Sequence, residues 1–446
     1  MEKFFLKLWT IKVETWQVAL VLIVAMLGVI GFGAAVEKAA TSRGSAGIAG
    51  LALKIARIPA ESSHVVNQLL LDHRPTLARQ QRFEGESGFK RFKNGDDEAL
   101  LLARFDGDEN RSVVEIMDLD NGAILHRYAP DIRALNAMSK ETPVEAGPNA
   151  YRIGHPYLTE DGGLIFHGFT SPLYKIDVCS NIIWTIDRLF HHSLEKDAGG
   201  NFWAASWFRP PTTPYTPPDG RDPTIVQISP DGKILFEKSI HQILIENSLQ
   251  HMVYPGGRYT RDPTHLNDVQ PAMFDGPYWR RGDLFVSLRN RSTVLLYRPS
   301  TNKVLWVHNG PWMMQHDVDI ISDHQIAVFN NNAAGFEWGA GVLGNNDTII
   351  YDFATEELKS PFSEGYKDNE IRTPTEGRSE ILADGELFVE ESNYGRLLKM
   401  SAAGDLTWQY VNRASDGRLY VVNWSRYIDA ELADKTAALA KQKCTN

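Results

Sequence analysis

The chain has 446 residues and 43% hydrophobic content, enough for two or three ordinary domains or one large repeat array. Its formal charge is −10 and its Lys and Arg are scattered, which excludes a nucleic-acid partner. Cys179 and Cys444 are its only cysteines, so neither a cysteine-rich metal site nor a disulfide scaffold is available.

Residues 1–15 carry Lys3, Lys7 and Lys12 ahead of Trp16 to Val36, a run without charge whose length suits a bilayer-spanning helix of roughly 20 residues. Residues 16–36 are read as a single transmembrane helix. The basic residues before it put residues 1–15 in the cytoplasm and everything after Glu37 on the periplasmic side of an inner membrane. The competing reading is a cleaved signal peptide, since Gly33, Ala34 and Ala35 follow the apolar run. Residues 37–97 form a stalk and linker. Apolar residues recur at helical spacing through IAGLALKIARI and HVVNQLLL, with His64 and His73 on exposed positions, and Phe83 to Asp97 is polar.

From residue 98 the pattern becomes short β-rich runs separated by Asp-Gly, Asn-Gly and Gly-Gly turns. LIFHGFTSPLYKIDVCSNIIWTID, LFVSLRNRSTVLLYRPSTNKVLWVHNG and LFVEESNYGRLLKMSAAGDLTWQYVN repeat one pattern, with Trp184, Trp306 and Trp408 in one register and Tyr174, Leu296 and Leu397 in another. With three less regular copies this makes six units of roughly 40 to 60 residues, the spacing of propeller blades. The predicted fold is all-β, a six-bladed β-propeller over residues 98–427, preceded by the transmembrane helix and helical stalk. Segments 210–223 and 254–263 read as loops over one face of the disc, and residues 428–446 as a helical tail. Cys179 falls in an outer turn, and whether it pairs with Cys444 is open. Their long separation disfavours a bond.

In a propeller, residues just before the first strand of each blade converge on the mouth of the central channel. His155, His191 or His192, His265 and His316 all stand there, with Arg378, Ser379 and Glu380 at the corresponding position of the last blade. Three chemistries are compatible with this recurrence: a metal site completed by Asp317, Asp319 and Glu380, a covalent histidine nucleophile, or a binding funnel. His126, His167, His241, His251, His308 and His324 read as strand, loop or turn residues. Phe202, Trp203, Trp207, Phe208, Trp279, Trp312 and Phe336 lie in or near rim loops, available to stack on an aromatic ring.

HLNDV at 265–269, SLRNRSTVLLY at 287–297, KVLWVHNGPW at 303–312 and QHDVDI followed by FNN, with the stretch SEILADGELFVEESNYGRLLKMSAAGDLTWQY, resemble the bacterial arylsulfate sulfotransferases over about residues 151–424. That resemblance implies a six-bladed propeller moving a sulfuryl group from a phenolic sulfate donor to a phenolic acceptor, with no nucleotide sulfate and no cofactor. It implies His316 as the nucleophile, with His192 and Arg289 as further catalytic groups. His265, Asn267 and His191 come with it as substrate-binding groups, and Arg378 is added from its place in the last blade. The chain departs from the family at Phe329-Asn330-Asn331-Asn332, where an aspartate is usual, and in an insertion between His265 and Arg289. The alternatives are an inactive propeller holding a sulfated or aromatic ligand or an envelope partner protein, and a metal-dependent hydrolase. Oligomeric state is open, a homo-oligomer included.

Overall fold

The computed structural model describes residues 14–41, 55, 76–93, 98–140, 147, 149–217, 220–254, 256, 260–336 and 339–444. Most of the expected stalk lies outside the described residues. The chain divides into two compact units, Met1–Arg74 and Pro75–Asn446.

In the first unit, Thr15–Thr41 is one α-helix. Thr15–Val36 has a mean hydropathy of 2.7, and its large side chains from Trp16 to Phe32 face outward rather than into a core. By length and composition this helix can cross a membrane, and a signal sequence would share both properties.

The second unit is all-β, with a propeller-like arrangement of antiparallel sheets. Four sheets follow the blade pattern. One consists of Ala99–Asp106, Arg111–Asp118 and Ile124–Tyr128, completed by Arg426–Ile428, so early and late strands of this unit close on one sheet. A second runs Leu266–Pro271, Leu284–Leu288, Thr293–Arg298 and Lys303–Asn309, and a third Val318–Ile320, Gln325–Asn330, Asp347–Asp352 and Leu358–Lys359. The fourth, Arg378–Ile381, Leu387–Glu391, Arg396–Met400 and Leu406–Val411, gains Gly88–Arg91 as an edge strand. The remaining large sheet has seven strands, from Gly154–Leu158 to Ile234–Ser239, and turns about the 15-residue strand Ile182–Lys196.

Each sheet is too small to bury its own faces, so apolar residues pair between neighbours. Leu101, Val114 and Ile116 meet Leu164, Phe166 and Tyr174, while Phe285, Val294 and Leu296 meet Ile326, Val328 and Ile349. Trp408 is fully buried between its sheet and Leu100 and Met117 of the closing sheet, and Trp184 and Trp306 pack partly buried against their clusters. Trp203, Trp279 and Trp312 are core residues too, which corrects their reading as rim aromatics; Phe202 is likewise buried.

A circuit of polar contacts joins the sheets. The Asp268 carboxyl group accepts from Ser193 Oγ at 2.7 Å and from the Val318 amide at 3.1 Å. Asp317, next to Val318, accepts from Arg378 Nε at 3.4 Å, and Arg378 Nη1 donates to the Ser425 carbonyl at 3.1 Å. Arg426 then reaches Glu195 at 2.7 Å and the Leu194 carbonyl at 2.8 Å, two residues from Ser193 where the circuit began. Arg378 also donates to Glu380 at 2.9 Å. Arg378, expected to bind substrate, thus has a donor on each guanidinium nitrogen engaged inside the fold.

The tail forms a helix, Ala430–Lys443, capped by Asp429, whose side chain accepts from the Leu432 amide. Ala433, Thr436, Ala437 and Ala440 are buried, and Cys444 is disulfide-bonded to Cys179 in the turn before Ile182. The expectation from sequence separation is thereby overturned. The Cα atoms stand 5.3 Å apart because the helix leads its last residue back over that turn.

Two stability measurements follow. Cys444→Ser should lower the free energy of unfolding by about 2–5 kcal/mol, because the crosslink closes a 265-residue separation in the unfolded chain. A urea midpoint equal to that of the parent would show that the bond does not stabilise the fold. Asp268→Ala strips the acceptor from two sheets at once and should cost about 2–4 kcal/mol, read by the same titration. No loss would mean that the circuit carries no stability.

Candidate active site

Three of the sequence-predicted histidines meet at one end of these strands. The His192 ring lies 5.1 Å from that of His265 and 6.2 Å from that of His316, centroid to centroid, and its Nδ1 is 2.8 Å from Nδ1 of His191. Each site loop is distorted where it must aim a side chain inward. His155, His192 and His265 have φ of 48°, 52° and 53°, and strand register slips between Gly154 and Tyr157, His191 and Leu194, and Leu266 and Asp268. Such bulges re-aim a side chain, at a cost of about 1–3 kcal/mol for each left-handed non-glycine residue.

His155, His167, His192 and His316 line one narrow pocket with Phe169, Glu376 and Trp424. His155 stacks on Trp424 at 4.0 Å, and His167 Nε2 lies 2.7 Å from the His192 carbonyl oxygen. The arylsulfotransferase (ASST) family model matches residues 155–413, from the first of these histidines to just past the strand Leu406–Val411.

The chain belongs to the arylsulfotransferase family. No curated protein matches it in sequence. Among solved structures it is similar to a protein of unknown function from Bacteroides caccae (13% identity, 74% of this chain and 98% of that one, TM-score 0.46). It is also similar to virginiamycin B lyase from Staphylococcus aureus (13%, 72% and 86%, 0.36) and to TolB from Acinetobacter baumannii (12%, 75% and 68%, 0.43). TM-scores at this level carry nothing about activity. Membership of the arylsulfotransferase family itself points to aryl sulfotransferase chemistry.

Within this family member the hydrogen bonds fix which nitrogen of each ring carries the proton. Asn331 Nδ2 donates to the carbonyls of Thr373 (2.9 Å) and Glu376 (2.7 Å), so its Oδ1 is the atom 2.7 Å from His316 Nδ1. That nitrogen therefore holds the hydrogen, with the Met314 carbonyl a second acceptor at 3.1 Å. On the other side the Glu376 amide donates to His316 Nε2 at 2.9 Å, so Nε2 presents a lone pair. His191 Nε2 faces the Ser206 carbonyl at 3.3 Å and carries the proton there, leaving its Nδ1 to accept from His192 Nδ1–H. His192 Nε2 is then an unprotonated base.

The electrostatics agree. Burial, reinforced by the Arg289 charge, holds the His316 ring well below the ordinary histidine pKa. Burial and then the neighbouring His191, His265 and His316 do the same to His192, and burial brings His191 to about 3. Burial lowers Arg289 to about 10, leaving it cationic at neutral pH. It has no carboxylate ion pair among the described residues, and its Nε is buried without a partner. His265 Nδ1 lies 2.5 Å from Asp262 Oδ2. Burial pushes Asp262 upward, but the hydrogen bond to His265 and the charge of Arg221 outweigh it, and the carboxylate stays ionised.

Asn267 stands apart from the pocket. Its amide donates to the Gln315 carbonyl at 2.8 Å, fixing the backbone just before His316. The sequence reading did not give a site role to Asn331, Glu376 or Trp424; His167, read among the strand, loop or turn residues, ends the strand Leu164–His167 and also lines the pocket. Asn331 was within reach of the hairpin pattern: Val318 pairs with Val328, and the His316 amide donates to the Phe329 carbonyl, so Asn331 falls beside His316. Among the described residues, no group of three His, Cys, Asp or Glu side chains is arranged to hold a metal ion.

The tautomers are directly testable. Imidazole nitrogen NMR should find Nδ1–H in His316 and His192, Nε2–H in His191, and all three rings neutral as pH falls through 6.5. Protonation of His316 or His192 near pH 6.5 would contradict this assignment.

Proposed function

We propose that this chain is a membrane-anchored sulfotransferase that moves a sulfuryl group from a phenolic sulfate to a phenolic acceptor through a sulfo-histidine at His316. The observation that carries this reading is the His316 tautomer. Asn331 holds the proton on Nδ1, so the lone pair lies on Nε2, where the amide of Glu376 in the pocket wall donates to it and must give way before attack. In the first half-reaction Nε2 attacks sulfur, an N–S bond forms, the S–O bond breaks, and the aryl oxide leaves with the electron pair. Arg289 stabilises the sulfuryl oxygens. The Glu376 amide, released from Nε2, is a second donor beside them.

In the second half-reaction His192 Nε2 takes the acceptor hydroxyl proton, the phenolate oxygen attacks sulfur, and the N–S electron pair returns to His316. The proton on His192 then passes to solvent or to the first aryl oxide. Because His192 is neutral beforehand, the donor leaves as an anion, which favours donors with acidic phenols. His265, held by Asp262, stands behind His192 and supports it through the second step.

The anchor reading adds Thr15–Val36 as a single inner-membrane span, with the N-terminus cytoplasmic and the second unit periplasmic. The Cys179–Cys444 bond supports an oxidising compartment. We further propose a propeller of six blades, with the seven-stranded sheet counted as two that share Ile182–Lys196. Ile165 and Leu173 of its first half pack against Ala204 and Val226 of its second, as separate blades would. Non-glycine residues with positive φ also occur at or shortly before five strands, at His155, His265, Met314, Glu376 and Trp424, and at the break in Ile182–Lys196, at His192.

One observation favours a second reading, a funnel that binds an aryl sulfate without turnover: the Glu376 amide occupies the Nε2 lone pair. Intact mass after brief mixing of the full chain with 4-nitrophenyl sulfate, without acceptor, separates the two. The transferase should gain one sulfuryl mass, mapped to His316 and discharged by phenol; binding with no adduct and no nitrophenolate would leave the funnel. His192→Ala should keep most of the nitrophenolate burst and slow discharge to phenol by about 10²–10⁴-fold. A burst lost as completely as the discharge would remove His192 from the role of acceptor base.

A further inference from the structure

We propose that Asn423 and Trp424 are further substrate-binding residues, whose side-chain N–H groups form a seat for the sulfuryl oxygens on one wall of the His316 pocket. This rests on the reading of that pocket as an aryl sulfate site and deepens it by naming what holds the sulfuryl group there.

Both residues line the pocket, as does His155, and all three are buried. Asn423 Nδ2, Trp424 Nε1 and His155 Nδ1 have no hydrogen-bond partner among the described residues. Other side chains around the pocket are matched. His167 meets two carbonyls, His316 meets Asn331 and the Glu376 amide, and Ser392 donates to Glu390. His155 stacks on the Trp424 ring at 4.0 Å, so the unmatched atoms gather on one wall. Buried donors without acceptors are costly, and folds retain few of them.

The neighbours set the direction of the Asn423 amide. Arg152 Nε donates to it at 2.9 Å, and a guanidinium only donates, so the atom facing Arg152 is Oδ1 and the NH2 group is turned away. Arg152 Nη2 also donates to Glu376 Oε2 at 2.6 Å, so one guanidinium ties Asn423 to the residue whose amide meets His316 Nε2. The backbone behind the seat is equally fixed. The Asn423 amide donates to the Ala103 carbonyl at 2.8 Å, and the Trp424 amide to the buried Glu390 carboxylate at 2.7 Å. Trp424 has φ of 69°, left-handed like the site histidines.

The chemistry of the pair selects its partner. An indole N–H and an amide NH2 can only donate. A sulfate ester brings oxygens that only accept, with no proton to place. A phenol brings a hydroxyl proton, which the proposed reaction sends to His192. The seat therefore fits the sulfuryl group rather than the phenol, and its donors are held in place and out of water before the substrate arrives, as stabilisation of an oxyanion requires.

The test reads contact and affinity separately. In the full chain carrying His316→Ala, in detergent micelles, tryptophan-selective nitrogen-15 labelling finds the Trp424 indole signal by its loss in Trp424→Phe. Phenyl sulfate should move the indole proton downfield, and phenol should leave it in place. In calorimetric titrations, Trp424→Phe and Asn423→Asp, which keeps the oxygen that Arg152 holds, should each weaken phenyl sulfate by about tenfold or more. An indole signal unmoved by saturating phenyl sulfate, an equal shift with phenol, unchanged affinity in either variant, or failure of phenyl sulfate to bind would each overturn the seat. Sulfation of His316 in the unmodified chain is read separately. An indole shift without a sulfuryl adduct keeps the seat and removes the transfer reading, and an adduct without an indole shift does the reverse.

Discussion

The structure depends on the closed circuit of buried polar contacts that runs Ser193, Asp268, Val318 with Asp317, Arg378, Ser425 and Arg426, and back to Glu195. Apolar packing between sheets is non-directional and tolerates sliding, whereas a buried carboxyl group with two donors does not. Circuit members on three sheets sit within a few residues of a site histidine. His192 precedes Ser193, His265 is three residues before Asp268, and His316 is next to Asp317. Closing the circuit therefore sets the depth and rotation of the site as a by-product of closing the fold. Arg378 is best understood in this light. A buried cation is tolerable because Asp317, Glu380 and the Ser425 carbonyl surround it.

The same closure explains how strained backbone persists where the histidines turn inward. Left-handed φ at His155, His192 and His265 is unfavourable in isolation, and all three occur where strand register slips. The flanking residues are over-determined by ladder bonds on one side and circuit contacts on the other, so the loop between has little choice. A bulge is then the means by which a strand that must continue into the core can still present one ring to the pocket.

Much of this was legible in the residues. The repeating turns and the Trp184, Trp306 and Trp408 register gave an all-β array, because alternating burial in short strands writes itself into the sequence. The recurrence of histidines before strands pointed to His192, His265 and His316, which do meet. What was not legible depends on direction rather than position. Asn267 and Arg378 occupy the expected places, but their donors turn toward Gln315 and Asp317, and no spacing rule reports where a side chain points. The Cys179–Cys444 bond was hidden because sequence separation says nothing about where a terminal helix ends. Trp279 and Trp312 looked like rim aromatics because their loops are polar, yet both rings fold under into the core.

The clustering of imidazoles also limits how many protons the site can hold. With His192 and His316 centred 6.2 Å apart, charging both would cost about 3 kcal/mol at an effective dielectric of 20. His191 and His265 stand closer still to His192, and Arg289 already supplies a fixed positive charge. His191, His192 and His316 therefore resist protonation together. A sulfate ester needs a cation to attract it and an unprotonated nitrogen to attack it, two demands that conflict if the cation is itself a histidine. In the proposed reaction, a permanent charge on Arg289 and neutral rings remove the conflict, since the charge that would draw the anion in also helps hold His316 below the ordinary histidine pKa.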